Sequence, residues 1–348
     1  MPTLKEVAKR ADVSIATVSK VLSSTPYVSE ETRERVLQAV AELGYVPNLA
    51  ARALSKGRTH NVGVIFPYVI DHLFSDPHIL MLVEGIEVVC TENGYNMLIS
   101  TPRIPVSASD QYQTLVRSGY LDGAIAIETL PNSLVSEPLE QHGYPWVAIG
   151  YNSARDGKNT LHADDFGGAK AVAAHLLDLG HRHFGLITVT ATTLAATEQR
   201  LAGYSAAFEE ANLNFRDVPV VIGNFSIESG YQAADDLLRR KPRPTALICL
   251  NDRMAIGALE RARNVGLDIP RDVSIVGFDD IPSASLINPP LTTVHQPARE
   301  LGTEAAHRLF ELINMRTRRN HTPPESAFEP IVFPTVLVIR GSSGPPPQ

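Results

Sequence analysis

The chain has 348 residues, 44% hydrophobic and 20% charged, which excludes a disordered or coiled-coil composition and leaves room for two or three domains of roughly 100–200 residues. No apolar run approaches the ~18 residues of a membrane span, the opening MPTLKEVAKRADVS lacks the apolar run of a secretory signal, and the two cysteines, Cys90 and Cys249, make neither a disulfide framework nor a metal site, so a reduced cytoplasmic protein is expected. Residues 1–60 carry +3 and the remainder −10, giving −7 in all; a polyanion should therefore meet the small basic head, not the acidic body.

The head reads as three short helices. Thr3 and Glu6 have capping-box spacing, and Leu4, Val7, Ala8 and Ala11 form one apolar face behind them. Ser14 caps a second helix reaching Leu22, with Val18, Val21 and Leu22 inward. Ser29 opens a third, with Glu30 and Glu31 at its positive end, Val36, Leu37, Val40 and Leu43 on its core face, and Gly44 at its stop. Pro47 and Asn48 then introduce an apolar-rich segment, Leu49 to Leu54.

From Asn61 the texture changes to strand–helix alternation. Runs at 61–66, 95–100, 122–127 and 145–150 form one series of buried strands, and runs at 183–188, 219–223, 245–250 and 273–278 form a second. Helical patterns such as 167–179, 194–210, 229–240 and 254–265 lie between them. Such alternation predicts parallel sheets with helices on both faces. Two series predict two similar α/β lobes flanking a cleft. The Gly/Ser/Pro-rich end, 341–348, reads as a disordered tail.

Two short helices joined by the tight connection Ala11-Asp12-Val13 match a helix-turn-helix, whose second helix enters the major groove. Ser14, Thr17 and Ser19 would offer hydroxyls to phosphate, Ile15 and Ala16 apolar contact to thymine methyls, and Lys20 a reach to guanine or phosphate. On pattern alone, a three-helix cap packed on the body remains open.

The stretch from Thr3 to Leu54, with its runs ATVSKVL, VSEETRERV and ELGYVPNLAARAL, resembles the N-terminal domain of the lactose-repressor (LacI/GalR) family. The resemblance implies an all-α helix-turn-helix domain (1–46), a hinge helix and linker (47–60), and a two-lobed core (61–340) of the type I periplasmic-binding-protein-like α/β fold. It places Thr3 with the recognition residues. It also puts a minor-groove wedge on Leu54, with Asn48 and Ala51 on the groove-facing side. The physics of the hinge agrees: about eight residues are too few for a helix stable in water, ordering them costs on the order of 10 kcal/mol, and an exposed leucine suits a wedge between base pairs.

The resemblance continues through LDGAIAI (121–127), HLLDLGHRHFGLI (175–187), QRLAGYSAAFEEANL (199–213), the long run 243–280 and PPLTTVHQP (289–297). It implies a homodimer that binds a pseudo-palindromic operator and a small effector, usually a sugar or nucleobase, held between the lobes. Matching motifs place effector contacts on Arg200, on Asn251 and Asp279 of the opposite lobe, and on Phe225, with Phe74 and Gln296 completing the set. A guanidinium fork suits paired hydroxyls or an anionic edge. Three departures, Tyr68, the longer segment 75–81, and Gly150 in place of a frequent aspartate, suggest a roomier cleft and a larger sugar such as a disaccharide.

Enzyme motifs are missing: there is no phosphate loop of either common spacing, no H-E-x-x-H and no G-x-S-x-G. No cofactor or metal is expected, and His181 and His183 read as structural. The sequence therefore points to a cytoplasmic, effector-switched repressor; the alternative is a sugar-binding protein of the same core fold without a regulatory role.

Overall fold

A computed structural model describes residues 2–22, 28–46, 58–66, 73–101, 119–127, 144–150, 159–190, 195–318 and 328–348. The chain divides into two compact units, Met1–His60 and Asn61–Gln348.

The first unit holds α1 (Leu4–Arg10), α2 (Ile15–Leu22) and α3 (Glu30–Leu43). Local chemistry sets each start. Thr3 accepts from the Glu6 amide while the Glu6 carboxylate accepts from the Thr3 amide at 2.7 Å. Ser14 Oγ accepts from the Thr17 amide at 3.1 Å, and Ser29 Oγ accepts from the Thr32 amide. Gly44 ends α3 at φ 59°. Val7, Ala8, Ala11, Val18, Val21, Val36, Ala39 and Tyr45 are the core. Leu37, expected on the core face, is instead 48% exposed; the face of α3 turns through Val36 and Ala39, with Val40 and Leu43 half-buried beside them.

In the second unit all eight expected strands form. The first lobe has a parallel sheet of order β11-β5-β4-β3-β1-β2, built from β1 (Asn61–Ile65), β2 (Asn96–Ser100), β3 (Gly123–Ile127), β4 (Trp146–Ile149), β5 (Thr160–Ala163) and β11 (Ile331–Phe333). Helices α4 (Pro77–Glu92) and α9 (Ala298–Arg318) supply Leu82, Ile86, Leu301 and Leu309 to its core. The second lobe has a parallel sheet of order β7-β6-β8-β9, from β6 (Phe184–Thr188), β7 (Val220–Ile222), β8 (Ala246–Cys249) and β9 (Ser274–Val276). Around it lie α5 (Asp165–Asp178), α6 (Ala195–Glu210), α7 (Ile227–Leu238) and α8 (Asp252–Asn264). A short antiparallel pair, β10 (Thr293–His295) with β12 (Val336–Val338), accompanies the second lobe. The chain thus passes between lobes after β5, after β10 and after β11. The sequence reading named neither β5 nor β10–β12.

The tail reading is overturned. Ser342 is fully buried, its carbonyl accepts from the Ile275 amide at 2.8 Å, and its hydroxyl donates to the Ile275 carbonyl at 2.6 Å. The Gly344 carbonyl accepts from Ser274 Oγ at 3.0 Å and from His181 Nε2 at 2.8 Å. Glycine and serine, read as signs of disorder, are here the small residues that let the tail lie against β9. His181 is structural, with Nδ1 2.9 Å from Thr245 Oγ1, and burial lowers its pKa.

Candidate functional site

In the first unit, α2 buries Val18 and Val21 and leaves Ser14, Ile15, Ala16, Ser19 and Lys20 exposed, with Thr17 half-buried. Ile15 is 49% exposed. The hydroxyls of Ser14 and Thr17 lie 2.9 Å apart, and Thr3 is occupied by the capping box. Exposed Arg10 pairs with Glu42 at 2.6 Å, bracing α1 against α3. Asn48, Ala51 and Leu54 lie outside the described residues.

The second site follows from the topology. In parallel sheets the loops leaving the carboxyl ends of the strands form a crevice where the strand order reverses, and in the second lobe that reversal is at β6, between β7 and β8. Arg200 on α6, Phe225 after β7, Asn251 after β8 and Asp279 after β9 all come from this edge, so Asn251 and Asp279 share a lobe with Arg200 instead of facing it from the opposite one. Arg200 is 8% exposed. Its Nε donates to Asp165 Oδ1 at 2.8 Å and its Nη1 to the Leu250 carbonyl at 2.6 Å. Its guanidinium centre lies 3.8 Å from the Phe278 ring centroid, within cation–π range. Asp279 Oδ1 sits 3.6 Å from Arg200 Nη1 and accepts from Gln296 Nε2 at 2.7 Å. Asp279 Oδ2 has no hydrogen-bond partner among the described residues.

Burial dominates the electrostatics. It pushes Asp279 up to about 8 against the pull of Arg200, with Asp76 adding to the rise. It also raises Asp165 and Asp252. Arg200 is held charged: burial opposes its charge, but Asp165 and Asp279 outweigh that and raise its pKa. Asp279 is at φ 116° and Phe225 at φ 67°, a left-handed region costly for residues with a Cβ and concentrated at functional sites.

The six expected effector residues therefore separate. Arg200, Asp279 and Gln296 form one buried, connected cluster. Asn251 is adjacent but committed: its Oδ1 accepts from the Met254 amide at 3.0 Å as the cap of α8, and its Nδ2 donates to the Phe225 carbonyl at 3.3 Å. Phe225 is half-buried against the lobe core. Phe74 stands on a short turn, 67% exposed, and no described contact ties it to the cluster. Sequence reasoning missed Asp165, whose sign was the Asp-Asp pair opening α5, and the stacking Phe278. It also missed an ion pair between the lobes: Arg253 Nη1 donates to Asp76 Oδ2 at 3.2 Å, both side chains buried. Asp76 gets there because the segment 75–81 places it as the cap of α4, accepting from the His78 amide at 3.0 Å. Gly150 has a backbone reason as well: at φ 111° an aspartate would be strained. Tyr68 lies outside the described residues.

Residues 3–48 match the model for bacterial regulatory proteins of the lacI family, and residues 173–343 match a periplasmic binding protein-like domain. The HTH-type transcriptional repressor PurR of Salmonella newport (strain SL254) is 35% identical over 321 residues, 91% of this chain and 92% of that protein. The chain belongs to the lacI family. Solved structures of the family agree in fold. A lac repressor dimer bound to operator and the anti-inducer ONPF superposes with a TM-score of 0.82 at 26% identity, covering 99% of each chain. The transcriptional regulator CelR in complex with cellobiose gives 0.72 at 29% identity, over 98% of this chain and 100% of that one. A regulator from Enterococcus faecium with bound ribose gives 0.70 at 27%, over 82% and 99%. As a lacI-family member the chain is a DNA-binding transcriptional regulator under effector control, with a helix-turn-helix unit and a type I periplasmic-binding-like core.

Proposed function

We propose that this lacI-family regulator is a cytoplasmic, non-enzymatic repressor that binds a pseudo-palindromic operator as a homodimer and takes an unphosphorylated sugar, disaccharides included, in its cleft. The observation that carries the reading is the Arg200–Asp279–Gln296 cluster at the carboxyl edge of the second sheet. It presents a fixed guanidinium beside a carboxylate oxygen with no partner among the described residues, the donor–acceptor pair that vicinal hydroxyls satisfy. The cellobiose and ribose complexes of related regulators support a sugar. A second copy is supported by the sheet edges: β2 leaves Leu98 and Ile99 exposed and β7 leaves Val220 and Ile222 exposed, apolar edges that soluble proteins normally cover.

In this reading Ile15, Ala16 and Lys20 face the base edges of the major groove, Ser14, Thr17 and Ser19 offer hydroxyls to phosphate, Thr3 stands with the recognition residues, and Leu54, with Asn48 and Ala51, wedges the minor groove. Asn251, Phe225 and Phe74 complete the cleft. Thermal-shift screening of sugars and nucleobases tests it, since a ligand that binds only the folded state raises the melting temperature. A sugar that stabilises the wild type but not Asp279→Asn is the expected result. A panel in which only nucleobases stabilise the chain refutes the sugar assignment.

A further inference from the structure

At the opposite end of the second sheet from Arg200, where the strands enter, a cavity of about 590 Å³ opens between the start of β6, the end of α6 and the loops 213–219 and 240–244. Its inner wall is apolar: Phe208 and Val218 are buried and Leu213 half-buried. Its outer wall is cationic: Arg182, Arg240 and Lys241 are exposed, with Asp217 the one carboxylate among the lining residues. This sign is opposite to that of the body, which carries −10 beyond residue 60. Arg182 is fixed in place, Nη1 donating to the carbonyls of Leu177 and His181 at 3.0 and 2.7 Å, so its Nε and Nη2 remain without a partner among the described residues. Arg240 and Lys241 make no ion pair among those residues.

The volume lies in the range of small-molecule sites, which combine an apolar lining with a few placed polar groups. A planar guanidinium held by backbone carbonyls is suited to bidentate phosphate recognition, and a lysine adds a point charge. Phe208 stands eight residues along α6 from Arg200, about 12 Å of helix, so this cavity is separate from the effector cluster. We propose that it is a second small-molecule site for an organic phosphate. The phosphoryl group would lie against Arg182, Arg240 and Lys241, and a flat or aliphatic body against Phe208, Leu213 and Val218.

Calorimetric titration of the full chain with phenyl phosphate tests this, with inorganic phosphate as the second probe. One saturable site with a Kd below about 1 mM is expected. It should weaken at least about tenfold in Arg240→Glu/Lys241→Glu, whose exposed positions leave the fold intact. Inorganic phosphate should bind at least about tenfold more weakly, since it lacks the apolar body, and Asp279→Asn should bind phenyl phosphate like the wild type. No saturable binding up to about 10 mM, or equal affinity in the double charge reversal, would overturn the site. Equal affinity for inorganic phosphate would reduce it to an adventitious ion only, and loss of binding in Asp279→Asn would move the ligand to the cleft; either result overturns it too.

Discussion

Replacing Arg200 with alanine removes the cation from a buried cluster that holds two carboxylates. The residue is 8% exposed and gives up a 2.8 Å bond to Asp165, a 2.6 Å bond to the Leu250 carbonyl and its stack on Phe278. Breaking one partner out of a buried pair costs about 3–5 kcal/mol, a large share of the ~5–15 kcal/mol that stabilises a folded domain. The cost should depend on pH. Burial already raises Asp165 and Asp279, and without Arg200 both escape their burial penalty by taking protons, which is cheaper in acid. Urea unfolding at pH 5 and pH 8, followed by circular dichroism, should therefore show a smaller loss at pH 5. Trp146, the only tryptophan, sits buried in β4, so its fluorescence reports the first lobe and should shift less. Adding Asp165→Asn to Arg200→Ala should recover part of the loss at pH 8, because it removes an orphaned charge. A loss below about 1 kcal/mol at pH 8, or one equal at both pH values, would refute the assignment of Arg200 as a structural cation shared by these carboxylates.

Asp279, at about 8 in the folded chain against an ordinary carboxylate value near 4, contributes stability that is full below about pH 4 and lost as pH rises through 8. Its slope is at most about 1.4 kcal/mol per pH unit. Asp279→Asn should flatten that fall, and an unchanged pH profile contradicts the shift. Ile15→Arg or Ala16→Glu should abolish specific operator binding with the melting temperature unchanged; an unaltered footprint removes α2 from base readout. Truncation after Arg340 strips partners from Ile275, Thr292, Ser274 and His181, so it should cost about 2 kcal/mol or more in urea unfolding, whereas a disordered tail would cost nothing.

The sequence made the local features legible because each rests on a few neighbouring residues. The Thr3–Glu6 box, the Ser14 and Ser29 caps, the Gly44 stop and the eight buried strands are of this kind. The motif-borne residues Arg200, Asp279 and Gln296 lie together, though Arg200 and Asp279 come from one lobe and not from opposite ones. What escaped depends on distant residues meeting. Asp165 gains its role only when α5 packs beside α6, and Asp76 meets Arg253 only when the two lobes are placed together, 177 residues apart in sequence. The tail misled for the converse reason. Its Gly/Ser composition suits disorder when isolated, yet those small residues are what fit against β9 when Ser274, Ile275 and His181 supply hydrogen bonds. Gly150 was open to a reading by size, while its φ of 111° is a backbone property with no local sequence signature.

Occupancy of the Arg200–Asp279 cleft should change operator affinity, and an effector can do so only by preferring one of two lobe arrangements. Fluorescence anisotropy on a palindromic operator selected by the full chain, with and without a sugar that raises its melting temperature, measures this directly. Couplings of this type are about 1–3 kcal/mol, so operator Kd should change by roughly 5–150-fold in the wild type and not at all in Asp279→Asn. A sugar that demonstrably occupies the cleft while operator Kd stays within about twofold would contradict the account.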